Sequence, residues 1–378
     1  MKEISLYIHI PFCMKKCFYC DFVSFENKDN EIAKYMKYLL KEVSLYKEKL
    51  KEYRLTSIFI GGGTPSHINE EYIEELLSHI YSHFATSSFM EVTIEVNPGT
   101  FDYQKVNSYY KSGINRLSMG VQTFHDHLLK DIGRVHSKAD IFESYDILRA
   151  VGFRNVNFDM MFGLPNQSFE DIMTDLNIIK DLDLQHISYY SLIFEEDTPM
   201  EKWYREGKLS LLGEDEERSA YHYIIKALKE IGFNHYEISN FSKDNYQCRH
   251  NRAYWEIRPY IGLGLNSHSN FMGERFWNHS NLGEYYRDID CGKFPIEAKE
   301  TIDIKIEIAE YSIFGIRLIE GINKEKFKKR FKKDIESIYG DVIRKHINNG
   351  LLEDNNKNIK LTKMGLDLAN LVELDFFL

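Results

Sequence analysis

No stretch of about 18 apolar residues occurs in the chain, so no segment reads as a membrane-spanning helix. Positive charge is not in excess either: 48 Lys and Arg stand against 58 Asp and Glu, a formal net charge of −10. That balance argues against broad binding of phosphate backbones, which takes clustered Lys and Arg, and no nucleic-acid partner is expected. Cysteine is scarce at five residues, and its placement is not that of a disulfide framework. A reducing, low-oxygen, cytoplasmic setting fits it. There is no repeat of fixed period and no low-complexity segment. Met1-Lys2-Glu3 leads straight into an apolar strand, so no signal peptide is expected.

What is present suffices for a large core. The 378 residues exceed one typical domain, and 43% are hydrophobic. Aromatic residues are abundant, with 25 Tyr and 25 Phe; most should be core, and part can line a pocket for a flat ligand. The basic stretch from Lys324 to Lys333 reads as a solvated helix face.

Strands and helices alternate along the first two hundred residues. An apolar run, Ile4 to Ile10, ends in Pro11. Helices are expected over 31–51, 69–84, 102–111, 137–150 and 169–182, and strands over 57–60, 91–96, 116–121, 156–161 and 187–192. Such repetition implies a parallel sheet, and six units suggest a barrel or partial barrel with its chemistry at the carboxyl ends of the strands. Residues 214–231 read as a long amphipathic helix. A less regular region rich in Asn, Tyr, His and Trp follows to about 300. The tail reads as helices over 303–318 and 335–348, a small hairpin, and a last helix from 363 to 374 capped by Thr362, a winged-helix-like α+β pattern. The expected division is a core over 1–235, a connecting region over 236–300 and a C-terminal domain over 301–378.

Three of the five cysteines, Cys13, Cys17 and Cys20, fall within eight residues just past the first strand. Three thiolates on one loop converge on one soft metal centre. A four-iron, four-sulfur cubane normally takes four protein thiolates, so three would leave one iron open to a small molecule. A zinc knot, a disulfide pair or chance are the alternatives. Zinc usually wants four ligands in paired spacings, and His9 is the nearest candidate for a fourth. Gly61-Gly62-Gly63-Thr64-Pro65 follows the second strand, where glycines let backbone approach a ligand closely. Glu95 ends an otherwise apolar strand and needs a partner or a ligand; a buried salt bridge is the plain alternative. Gln122 and Asp159 stand at similar strand ends and, with Arg134, raise the same question. His250-Asn251-Arg252-Ala253-Tyr254-Trp255 brings together an imidazole that can ligate a metal and aromatic rings that can pack on a flat ligand. A packed aromatic loop between domains is the alternative.

The C-x-x-x-C-x-x-C spacing resembles that of the radical S-adenosylmethionine (SAM) superfamily. The Tyr7-x-His9-Ile10-Pro11-Phe12-Cys13 lead-in, the GGGTP loop, Gly120-Val121-Gln122, Gly133-Arg134-x-His136-Ser137 and Phe162-Gly163-Leu164-Pro165 resemble, across nearly the whole chain, the coproporphyrinogen III oxidase group of that superfamily. The resemblance implies a partial (β/α)6 TIM-like core. It implies a four-iron, four-sulfur cluster on Cys13, Cys17 and Cys20, and cluster-bound SAM contacted by Tyr7, Gly62 and Glu95. Tyr19, Gly63, Thr64, Gln122, Arg134 and Asp159 match positions that hold a second SAM in the anaerobic oxidase.

The group contains both that oxidase and a heme chaperone. The oxidase carries a fourth cysteine two residues after the third, where this chain has Phe22, and a substantial segment before its first strand. The chaperone carries H-N-x-x-Y-W, matched by His250 to Trp255. The resemblance therefore implies a heme chaperone that binds cluster, SAM and heme, with His250 and Tyr254 as heme candidates, and delivers heme to an acceptor respiratory hemoprotein. A homodimer and peripheral membrane contact through the acceptor are compatible with it. No catalytic residue is assigned. The alternative is an oxygen-independent coproporphyrinogen III oxidase, which removes two propionate carboxyls to leave vinyl groups.

Overall fold

The computed structural model describes residues 1–377. Its centre is a run of strands whose sequences are apolar on both faces, as expected where helices cover a parallel sheet. These are β1 (Lys2–Ile10), β2 (Tyr53–Gly62), β3 (Ala85–Val96), β4 (Arg116–Gln122), β5 (Asn155–Phe162) and β6 (His186–Ser191). Each pairs in parallel with the next. Helices at Asp29–Leu45, Glu70–His83, Tyr103–Lys111, Lys138–Val151 and Phe169–Lys180 make the connections. Side-chain caps start four of them. Asn69, Asp102, Ser137 and Ser168 each accept a bond from a first-turn amide, and Gly152 ends its helix at φ +111°. The six-unit parallel core is thus the one expected.

Two differences concern lengths. The first helix stops at Leu45 rather than Lys51, the chain turning until β2 begins at Tyr53. β3 begins at Ala85, six residues early, because Arg54 and Leu55 extend the pairing before a bulge at Leu55–Ser57.

The region expected to be less regular up to residue 300 departs most from the reading. It supplies β7 (Asn234–Glu237) and β8 (Asn240–Ser242), an antiparallel hairpin on β6. It also supplies β9 (Tyr260–Leu263), β10 (His268–Phe271), β11 (Glu274–Asn278) and β12 (Ile296–Thr301). β9 lies parallel beside β1. The result is one open twelve-stranded sheet in the order β12-β11-β10-β9-β1-β2-β3-β4-β5-β6-β8-β7. These strands hold three to six residues each, too few to show a period, and β9 finds its partner some 250 residues away.

The C-terminal part has its own core, built on Ile308, Ile316, Phe327, Tyr339 and Ile359. Helix Ile304–Ile316, β13 (Ile322–Asn323), helices Lys324–Phe331 and Glu336–Asn348, then β14 (Leu352–Asp354) and β15 (Asn358–Leu361) follow the winged-helix order. The expected last helix is broken at Leu368 into Lys363–Asp367 and Ala369–Leu374. Among the described residues no helix is long and apolar enough to cross a membrane.

Candidate functional site

The strand ends of β1 to β6 surround a cavity of about 420 Å³. The cysteine loop forms one side. Phe12 and Phe25 bridge across its base, the Cys13 amide bonds to the Phe25 carbonyl at 3.0 Å, and the Phe18 amide bonds to the Ile132 carbonyl at 3.1 Å. The loop is therefore held at its base and at mid-length. All five cysteines are free thiols; Cys13 is buried and Cys17 and Cys20 half-buried. Burial raises the Cys13 thiol above its ordinary range and pushes Cys20 up to about 11, so a metal must displace protons to bind.

The glycine loop crosses directly beneath. The Gly63 amide bonds to the Ile10 carbonyl at 2.9 Å and the Thr64 amide to the Phe12 carbonyl at 2.8 Å. A Cβ on Gly63 would lie 2.7 Å from the Phe12 carbonyl oxygen, and one on Gly62, at φ +113°, would lie 2.5 Å from His9 Nδ1. Only glycine lets the two loops lie this close. The Thr64 hydroxyl points at Cys13 Sγ, 3.6 Å away.

Charge is arranged across the same cavity. The Glu95 carboxylate accepts from the Gly62 amide at 3.1 Å. Burial, then the nearby Asp159 charge, pushes its pKa up to about 8. Arg134 donates to Asn97 Oδ1 at 3.0 Å and to the Tyr19 hydroxyl at 2.9 Å, and Asn97 donates to Thr64 Oγ1 at 3.0 Å. Asp159 accepts from Ser118 at 2.9 Å and Asn157 at 2.8 Å, and burial raises its pKa. Gln122 takes φ +68° where β4 slips one residue against β5, a bulge that re-aims its side chain.

Every candidate cluster or SAM residue lines this cavity except Tyr7. Tyr7 faces a neighbouring cavity with Tyr254. Its hydroxyl donates to His9 Nδ1 at 3.0 Å, while His9 Nε2 donates to the Val23 carbonyl at 2.8 Å. His250 lies elsewhere again. It is buried beneath the sheet, with Nδ1 3.0 Å from the Ser57 hydroxyl and Nε2 2.9 Å from the Tyr254 hydroxyl. Neither of its nitrogens is free in this conformation. Asn97 and Ser118 were missed from sequence. Asn97 lies just past the end of β3, and Ser118 has a polar neighbour only through the β4–β5 register.

The donor set fits a cluster and a charged, amino-acid-like ligand: three free thiols around one space, a glycine cradle, and a carboxylate facing a guanidinium whose Nε is buried and unpartnered. Among the described residues no three His, Cys, Asp or Glu side chains are close enough to hold a single ion. A cubane, in which each thiolate takes its own iron, does not require that.

This core and its cavity are those of a radical SAM protein, and comparison with known proteins agrees. The Radical SAM superfamily model matches residues 7–179, and the HemN C-terminal domain model matches residues 307–368. Within the superfamily the chain belongs to the HemW family. It is 35% identical over 378 residues to the heme chaperone HemW of Lactococcus lactis subsp. lactis (strain IL1403), covering 100% of this chain and 98% of that protein. It is 34% identical to that of Bacillus subtilis (strain 168), over 97% of each, and 34% identical to that of Escherichia coli (strain K12), over 86% of each. Among solved structures, coproporphyrinogen III oxidase (HemN) from Escherichia coli matches with a TM-score of 0.86 at 20% identity, over 100% of this chain and 90% of that one. At that identity the likeness speaks for the fold. Membership of the superfamily implies a four-iron, four-sulfur cluster and SAM.

Proposed function

We propose that this protein is a heme chaperone that holds a four-iron, four-sulfur cluster, SAM and heme, and hands heme to an acceptor hemoprotein. The observation that carries this reading is the full-length relation to HemW proteins. Phe22 supports it, standing exposed on the cavity rim where the oxidase places its fourth cysteine.

In this reading Cys13, Cys17 and Cys20 hold the cluster, which when bound supplies single electrons and an open iron to SAM. The Glu95 side chain would orient the amino-acid end of SAM, the glycine loop would leave room for it, and Tyr7, which lines the neighbouring cavity, would support that loop through His9, whose ring packs against Gly62. Tyr19, Gly63, Thr64, Gln122, Arg134 and Asp159 form the remaining wall and suit a second polar ligand.

The test is anaerobic incubation of the reconstituted protein with coproporphyrinogen III, SAM and a reductant, beside heme transfer to an apo-hemoprotein. A SAM-induced change in the EPR signal of the reduced cluster controls for loading. Heme transfer without decarboxylated product is expected. Protoporphyrinogen at many equivalents per protein would make this an oxidase instead.

A further inference from the structure

The neighbouring cavity is larger than the first. It measures about 770 Å³ and shares Asp21 and Phe22 with it, within the range of about 300–1,000 Å³ usual for ligand sites. The sheet contributes Tyr7 from β1, Tyr260 from β9, His268 and Asn270 from β10, and Arg275 from β11. These share a face. His268 and Asn270 are two apart on one strand, and Asn270 lies opposite both Tyr260 and Arg275. Helix Ile304–Ile316 supplies Glu310, Ile313 and Phe314, and the HNRAYW segment supplies Tyr254 and Trp255. The cavity is thus a seam between the core sheet and the C-terminal part, where ligand sites tend to form.

Its walls are aromatic. Tyr254 meets Tyr260 edge-on with centroids 4.6 Å apart, and Trp255 lies 6.0 Å from Phe314. Two of its polar groups are unanswered. The Trp255 indole nitrogen and one Glu310 oxygen are buried without a partner. Arg275 is held between Glu300 and Glu310.

Two histidines border the space, and they differ. Both His9 nitrogens are engaged, and burial pushes its pKa down to about 4. His268 is exposed in the cavity. Its ring stacks on Trp277 at 5.6 Å and 20°, which fixes its plane. Burial, then the Arg275 charge, lowers its pKa, so the ring is neutral near neutral pH. A neutral imidazole is a ready ligand for iron.

We propose that the seam cavity binds an iron porphyrin between the sheet face and helix Ile304–Ile316, with the His268 imidazole as an axial ligand to the iron. The proposal rests on the heme-handling reading above. It assigns the iron to an imidazole already facing open space, whereas the buried His250 would have to give up Ser57 and Tyr254 first. Since Asp21 and Phe22 border both cavities, a porphyrin here touches the loop that carries the cluster thiols.

The test is titration of the full-length protein with ferric heme, followed by the Soret band and EPR, beside titration with metal-free protoporphyrin IX followed by quenching of protein fluorescence. His268→Ala should move the Soret band and weaken heme binding by about tenfold or more, and leave protoporphyrin binding unchanged. Added imidazole should restore the wild-type spectrum in His268→Gly. Asn270→Trp, which fills the cavity from the sheet side, should weaken both porphyrins while circular dichroism stays the same. Wild-type heme binding with an unaltered spectrum and affinity in His268→Ala would overturn the ligand assignment, and unaltered binding of both porphyrins in Asn270→Trp would overturn the cavity. Absence of any heme binding by the wild type would instead remove the heme-handling reading itself.

Discussion

In the cavity at the strand ends, one polar side chain answers another: Thr64 to Asn97, Asn97 to Arg134, Arg134 to Tyr19, Asp159 to Ser118 and Asn157. Across Phe22, in the seam cavity, the walls are aromatic rings, and the indole of Trp255 and an oxygen of Glu310 have no partner. The first space is preorganised. Its hydrogen bonds hold charged groups apart and in place before any ligand arrives, the arrangement that suits a small ionic molecule of fixed shape. The second leaves ring faces and two polar groups open to something large and flat.

The contrast is broken most severely at the cluster loop. Cys13→Ala should abolish the cluster, with iron and sulfide content and the cluster absorbance lost, while heme titration stays as in the wild type. Loss of both would mean that the two cavities are one functional unit.

Glu95 gives the next effect. Its folded pKa of about 8 lies above the ordinary carboxylate value of 4.5. Between those values the unfolded chain releases a proton that the folded chain keeps, so stability falls as pH rises through that window. In protein free of cluster and SAM, Glu95→Gln should remove this slope, a difference on the order of a few kcal/mol between the ends. Urea unfolding at pH 5 and pH 8.5 measures it, and parallel wild-type and variant profiles would contradict the assignment.

His250→Ala leaves the Tyr254 hydroxyl without its buried partner, while Ser57 keeps its 2.8 Å bond to the Ser5 hydroxyl, and should cost about 1–3 kcal/mol of stability. It should leave the Soret position of bound heme unchanged; a displaced band would return His250 to the iron. The smallest effect is expected at Phe22, which is 59% exposed. Phe22→Ala should change stability by less than about 0.5 kcal/mol and leave cluster loading intact, as iron analysis and thermal melts would register.

Much of the first cavity was readable in advance because its chemistry is local in sequence. Cysteines at fixed spacing, a glycine run after a strand and a carboxylate ending an apolar strand each announce themselves within a few residues. The seam cavity was not readable in this way. Tyr260, His268 and Asn270 sit in strands of four residues each, and the imidazole of His250 drew attention because its motif is compact. Burial sets those two histidines apart, and nothing in the order of residues states burial.

The sequence alone determined the parallel core, the caps that start its helices and the thiol loop, since periodicity, side-chain hydrogen bonding and spacing are properties of neighbours along the chain. Tertiary structure alone decided that β9 pairs with β1, that Tyr7 faces away from the cavity its neighbours line, and that Asn97 joins Thr64 to Arg134. These depend on contacts between segments far apart in the chain, fixed by strand register and the closure of long loops.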